Sequence, residues 1–262
     1  MGIYNREIHF TMYNLKCISL ILYFILFESV QASNLSSEFI LKINSDSVPK
    51  LYSLVLPISL IGYGFWTLNN SQLKSYDFKI RDKLKYTNKR VLINKYYMYT
   101  PVISVYVLNA FGVRGKHNFV DRSMVFVTAH FITINTYLQL KPLTKIQRPD
   151  GTRYSFPSGH TATAFLCAEF LHQEFKHISP IYGIAGYLIA TGIAYHRIYI
   201  NRHWFSDVVA GAGFGILGTK MAYWLLPIFQ KALLNVKKKT GISQIAPYYE
   251  NGKIGIGINI DL

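Results

Sequence analysis

The chain has 262 residues, half of them hydrophobic, and only 16% are charged, against about a quarter in a soluble globular domain. One domain is the default at this length, and the low charge content points to a membrane protein. The net charge of +15 does not indicate a nucleic-acid binder, because the basic residues are split among apolar segments and form no single face; they suit anionic headgroups or cytoplasmic loops.

The N-terminus reads as a secretory signal over residues 1–32. Lys16 precedes an apolar run from Cys17 to Phe27, and Val30-Gln31-Ala32 offers small residues for cleavage before Ser33. An uncleaved anchor is the alternative, although the run is short for a full span. With Cys17 in that run, Cys167 is left alone, so no disulfide framework is expected. Its neighbours Phe165, Leu166 and Ala168 mark it as a packed core thiol.

Residues 33–50 are polar and expected to be exposed, and the main helical domain is expected over 51–235. Its first apolar segment, Leu51–Leu68, is interrupted by Pro57, Gly62 and Gly64. A basic stretch follows from Lys74 to Lys95, read as a solvated loop or an amphipathic helix at a headgroup surface. Five further helices are expected: Met98–Val113, Arg122–Leu140, Thr161–Phe175, Pro180–Arg197 and Asp207–Phe229. Several are short for a span, so tilt or partial immersion is anticipated. Glycines stud the last two, including Gly186, Gly211, Gly215 and Gly218, as suits close helix packing in a membrane bundle. In the tail, 236–262, isoleucines alternate with Gly255, Gly257 and Asn259 after the turn signal Asn251-Gly252, which predicts a hairpin. The expected fold is therefore all-α: a membrane-associated bundle of about six helices, with a short C-terminal β-hairpin.

Chemistry concentrates between Lys141 and Asp207. Lys141 is separated by six residues from Arg148-Pro149; Ser155-Phe156-Pro157-Ser158-Gly159-His160 follows; Arg197 is then separated by five residues from His203, which stands four before Asp207. His203 and Asp207 lie one helical turn apart, where side chains can meet. A carboxylate on one ring nitrogen fixes the tautomer and frees the other to attack, so His203 reads as nucleophile and Asp207 as its orienter. His160 opens a helix behind Ser158, a natural cap, and the amides of that first turn suit an anion. Gly159 would let the backbone approach a phosphate, and His160 could protonate a leaving oxygen with a pKa near working pH. Arg148 and Arg197 offer bidentate forks and Lys141 a point charge, together fitted to the equatorial oxygens of a phosphoryl group in flight.

Arg153, Asn201, Arg202 and Trp204 could line the pocket mouth, and Lys145 reads as a surface charge. No carboxylate cluster or Cys/His ligand spacing suggests a metal, and no cofactor is expected. A nucleophile elbow and a dinucleotide fingerprint are both missing.

These clusters resemble the type 2 phosphatidic acid phosphatase superfamily, which includes bacterial acid phosphatases and vanadium haloperoxidases. The resemblance runs from about Leu51 to Phe229 and rests on Lys141, Arg148, Pro149, Pro157, Ser158, Gly159, His160, Arg197, His203 and Asp207. The serine usual before the arginine is replaced by His196. The resemblance implies a helical core, a phosphohistidine on His203, vanadate sensitivity and no metal. The segments Arg148–Asp150 and Asn201–Trp204 look like envelope phosphatases of Bacteroides-type bacteria, some of which act on lipid A. Removal of phosphate from a lipid phosphate such as lipid A is therefore expected. Undecaprenyl pyrophosphate, phosphatidylglycerol phosphate, a soluble phosphoester and haloperoxidase chemistry are the alternatives, and a non-catalytic scaffold is a further one. The expected partners are the lipid substrate and the membrane.

The expected location is the inner membrane with the site facing the periplasm. Topology does not close on that expectation. A cleaved signal leaves Ser33 outside, and three spans before Lys141 would put the site inside. The basic Lys74–Lys95 stretch also favours the inside. Leu51–Leu68, broken by Pro57 and its glycines, is the suspect span.

Overall fold

The computed structural model describes residues 51–84, 95–240, 242–250 and 253–260, with side chains for 51–84 and 96–232. The expected signal and the expected polar N-terminal segment lie outside the described residues. Seven α-helices form the body: α1 (Tyr52–Asn69), α2 (Ser71–Leu84), α3 (Thr100–Ala110), α4 (Phe119–Thr144), α5 (Gly159–Phe175), α6 (Pro180–Tyr199) and α7 (Phe205–Thr240). A 3-10 turn, Lys95–Tyr99, precedes α3.

The expected helices are present, and the local chemistry explains their limits. Asn118 caps α4 by accepting the Asp121 amide at 2.9 Å, and Ser179 caps α6 with Pro180 in its first turn. Pro57 sits inside α1 without ending it. The basic stretch contributes an additional helix, α2, from Ser71 to Leu84; residues 85–94 of that stretch lie outside the described residues.

Helix α5 is the axis of the bundle. Leu166, Phe170 and Phe175 are fully buried, and α5 packs on α6 and α7, with α3 and α4 alongside. Helix α7 packs on α1, α4 and α5. Its glycines permit that approach: a Cβ at Gly211 would meet the Ser158 carbonyl at 2.6 Å. By contrast Gly62 and Gly192 face open space, so packing does not require glycine there.

Large apolar side chains stand exposed along α1 (Val55, Leu56, Ile58), α4 (Val127, Phe131, Leu138) and α6 (Ile181, Ile184, Leu188). Among the described residues, one helix is long and apolar enough to cross a membrane, Phe205–Ala232 within α7.

The expected C-terminal hairpin is corrected. The helical body contains no strand, and its core clusters end at Leu226. Among the described residues the tail backbone beyond α7 joins no sheet of the helical body. A lone two-stranded ribbon buries too little to be an independent element. The period-two pattern reported local alternation and carried no information about a layer to pack against. The fold is all-α.

Candidate active site

The site lies where α4, α5, α6 and α7 converge at one end of the bundle. Helix α4 ends at Thr144 and carries Lys141 in its last turn. A loop then supplies Arg148 and returns through Ser155 to the start of α5. Helix α6 delivers Arg197 near its end, and a tight turn leads to His203. In that turn the His203 amide donates to the Arg197 carbonyl at 3.3 Å, and Asn201 takes a left-handed conformation, φ 59°, which asparagine tolerates well.

His203 and Asp207 are 2% and 0% exposed. Asp207 Oδ2 lies 3.3 Å from His203 Nδ1. The same oxygen accepts the Trp204 amide at 2.9 Å and the Ser155 hydroxyl. The Ser155 hydroxyl is also 3.5 Å from His203 Nδ1. A carboxylate facing Nδ1 favours the proton there and leaves Nε2 bare. The backbone closes the arrangement, because the Ser158 amide donates to the Asp207 carbonyl at 3.0 Å. The starts of α5 and α7 are thus joined through the residues that bracket the pocket.

Charge gathers around this pair. The His203 imidazole is held well below its usual pKa, first by burial and then by Lys141, Arg197, Arg148 and Arg202. His160 is lowered to about 4, again by burial first and then by Arg197, His203, Lys141 and Arg148. Burial, followed by the neighbouring Arg202, lowers Arg148. The buried Nε atoms of Arg148 and Arg197 have no hydrogen-bond partner, nor does Asp207 Oδ1. Lys141 Nζ donates to the Tyr154 carbonyl at 2.9 Å and the Ser155 carbonyl at 3.3 Å. Cations this close repel one another and retain unspent donors, which is the electrostatic character of an anion site.

The structure thus brings together Lys141, Arg148, His160, Arg197, His203 and Asp207. Two neighbours make further contacts of their own. Ser158 occupies the N-cap of α5 without a side-chain cap bond; instead its hydroxyl accepts Thr161 Oγ1 at 3.0 Å. Gly159 lies under Tyr137, whose ring a Cβ would meet at 3.1 Å, so packing already accounts for this glycine. Burial and the surrounding cations keep the His160 imidazole neutral at neutral pH.

The rim is assembled by residues that sequence marked only as candidates. Arg202 donates to Asp150 Oδ2 at 2.9 Å, and Trp204 Nε1 donates to the Gln147 carbonyl at 2.7 Å. These bonds pin the 145–155 loop to the 200–204 turn. Ser155, which joins Asp207 to His203, was visible only as the first residue of its motif run. Lys145, Gln147, Gly151, Arg153 and Tyr154 line a cavity of about 630 Å³ at this rim.

Residues 118–231 match the PAP2 superfamily model. This segment is a PAP2 superfamily domain. The match spans α4 to α7 and contains every candidate residue above. Within the chain, 79 residues are 53% identical to a lipid A 1-phosphatase of Porphyromonas gingivalis, covering 30% of this chain and 18% of the relative. A further 27% identity over 85 residues relates it to the lipid A 1-diphosphate synthase of Escherichia coli, covering 32% of this chain and 33% of the relative. The chain therefore spans a third or less of the length of these curated relatives. Among solved structures, it is similar to a transmembrane PAP2 type phosphatidylglycerolphosphate phosphatase from Bacillus subtilis, with 21% identity, 68% of this chain and 97% of that one covered, and a TM-score of 0.46. Similarity to Aquifex aeolicus LpxE is at 22% identity, over 59% of this chain and 87% of that one, with a TM-score of 0.38.

Proposed function

We propose that this chain is a phosphatase of the bacterial envelope that removes phosphate from a lipid phosphate, with lipid A the favoured substrate. The observation that carries this reading is the buried His203–Asp207 pair facing cations with unspent donors. The PAP2 domain supports the reaction class, and the identity to the Porphyromonas gingivalis lipid A 1-phosphatase supports the substrate.

In the proposed reaction the phosphate monoester enters among Lys141, Arg148 and Arg197. Nε2 of His203 forms a bond to phosphorus as the bond to the lipid oxygen breaks. Asp207 stabilises the imidazolium as it forms. The cations stabilise charge on the equatorial oxygens, where preorganised donors count most. His160 gives its proton to the departing lipid oxygen. Burial and then the surrounding cations lower His160; a phosphate dianion offsets those cations, so substrate itself favours the protonated His160 that delivers the proton. Water then attacks the phosphohistidine, His160 takes the water proton, and inorganic phosphate leaves His203 free. Ser158 and the first-turn amides of α5 complete the phosphate cradle.

The exposed apolar faces of α1, α4 and α6, together with α7, support immersion in the inner membrane, with the site opening to the periplasm. Purified protein in detergent should release phosphate from lipid A, with inhibition by vanadate and none from His203→Ala. Equal release by His203→Ala would refute the reaction. Parallel assays on phosphatidylglycerol phosphate and undecaprenyl pyrophosphate decide the lipid. A cysteine placed at Asp150 should react with an impermeant reagent from the periplasm, and protection there would overturn the proposed orientation.

A further inference from the structure

Helix α2 lies outside the PAP2 segment, yet it grips the residues that separate His203 from Asp207. Asp77 is 5% exposed. Its Oδ1 accepts the Ser206 amide at 3.0 Å and its Oδ2 accepts the Ser206 hydroxyl at 2.5 Å. Ser206 stands in the first turn of α7, where backbone amides lack intrahelical partners. Asp77 therefore supplies, from a different helix, what an N-cap side chain ordinarily supplies from its own. Its neighbour Phe78 packs edge-on against Trp204 with ring centroids 5.0 Å apart, and the Arg81 guanidinium lies 5.4 Å from the Trp204 ring. Three side chains on one face of α2 thus hold residues 204 and 206.

We propose that Asp77 is a positioning residue for the reaction. It fixes the first turn of α7, and through it the alignment of Asp207 with the His203 ring. This inference rests on the reading of His203 as nucleophile and Asp207 as its orienter. The reason is geometric. The His203 turn is short, its contact with Asp207 is already long at 3.3 Å, and small misplacements of reacting groups cost rate steeply. Phosphate binding is served by Lys141, Arg148 and Arg197, which come from other elements. Loss of Asp77 should therefore strike turnover and spare binding. A carboxylate at a helix N-terminus is also electrostatically favoured, and burial raises Asp77 only to about 6, so it is ionised at neutral pH.

The test compares Asp77→Ala, Asp77→Asn and Ser206→Ala with Lys79→Ala, an exposed change on the same helix. Asp77→Ala should lower kcat by about 10²-fold, with KM for the lipid phosphate within about twofold, while Lys79→Ala matches the unaltered protein. Asp77→Asn keeps an oxygen for the Ser206 amide and should recover most of the loss. Ser206→Ala, which removes only the hydroxyl bond, should show a smaller kcat loss in the same direction. Unchanged kcat in Asp77→Ala, or a rise in KM that accounts for its whole effect, overturns the proposal. If Asp77→Ala does not fold, Ser206→Ala decides: a fall in kcat alone supports the proposal, and no fall overturns it. Nitrogen-15 NMR of the His203 ring provides a readout without turnover. The Nδ1-protonated signature should weaken in Asp77→Ala and persist in Lys79→Ala, and an unchanged signature in Asp77→Ala overturns the proposal. If the unaltered protein released no phosphate, the phosphatase reading would fail, and the ring signature would still decide the role of Asp77.

Discussion

Among the described residues two histidine–carboxylate pairs lie at different places in this bundle, one fully buried and one with a half-buried histidine, and they differ in what their polar groups have left to bind. His203 meets Asp207 at 3.3 Å beside arginines with unpartnered Nε atoms. His117 meets Glu174 at 2.7 Å, near the far end of α5. Glu174 also accepts the His117 amide at 3.2 Å and the Tyr223 hydroxyl at 2.7 Å, and the Arg122 guanidinium is spent on the His117 carbonyl. The His117 pair joins the loop before α4 to α5 and α7, and its polar groups serve one another. The His203 pair is the less comfortable of the two, with surplus positive charge and donors still to be used. Reactivity is marked by what remains unsatisfied, whereas a completed network stabilises the fold.

The largest expected contrast comes from replacing the histidines. His203→Ala should abolish phosphate release, a loss of at least about 10⁴-fold, while thermal unfolding shifts little. His117→Ala should do the reverse, retaining kcat per folded molecule. If His117→Ala abolished kcat in folded protein, the separation of roles would break. Next in size, Glu174→Ala should destabilise by about 1–3 kcal/mol for each donor left without its acceptor, the Tyr223 hydroxyl among them; denaturant titration with parallel activity measures both sides. Arg148→Ala should then reduce kcat/KM by about 10²-fold, as for the loss of one preorganised donor to a transition-state oxyanion.

The smallest expected effect sharpens the electrostatic side of the comparison. In the proposed reaction neutral His203 is the attacking form, and burial holds its pKa well below the usual 6.5. The acid limb of kcat/KM attributable to His203 should therefore lie below pH 6.5, with activity falling as the ring protonates. Removing the Arg148 charge should move that limb upward, because one source of the depression is gone. The same sign governs stability. A histidine whose folded pKa is lowered contributes stability that is present above 6.5 and lost as pH falls below it. A profile unmoved in Arg148→Ala would show that this cation does not govern the ring.

The gathering of the candidate residues was legible in sequence, because their spacings encode local geometry. The four-position step from His203 to Asp207 is one helical turn, and Ser158-Gly159-His160 announces the start of a helix. Ser155 and Asp77 were not legible as partners of the site. Ser155 reaches Asp207 across 52 residues and Asp77 reaches Ser206 across 129, and neither separation has a periodic signature. Asp77 was further concealed as one acid in a stretch read as a solvated basic surface. Gly159 was given a phosphate-facing reason, where the Tyr137 ring offers a packing one. The tail shows the converse, since alternating isoleucines gave a pattern without a layer to receive it.

By itself, the sequence determined the helical class, the order of the helices and the chemical types gathered between Lys141 and Asp207. Hydrophobic period, caps and i, i+4 spacing act over one or two turns and can be read in one dimension. Tertiary structure alone decided which polar groups would be exhausted on one another and which would be left over. It also decided that α2 reaches the first turn of α7. Burial and distance across the bundle set both outcomes, and no local pattern in the chain carries them.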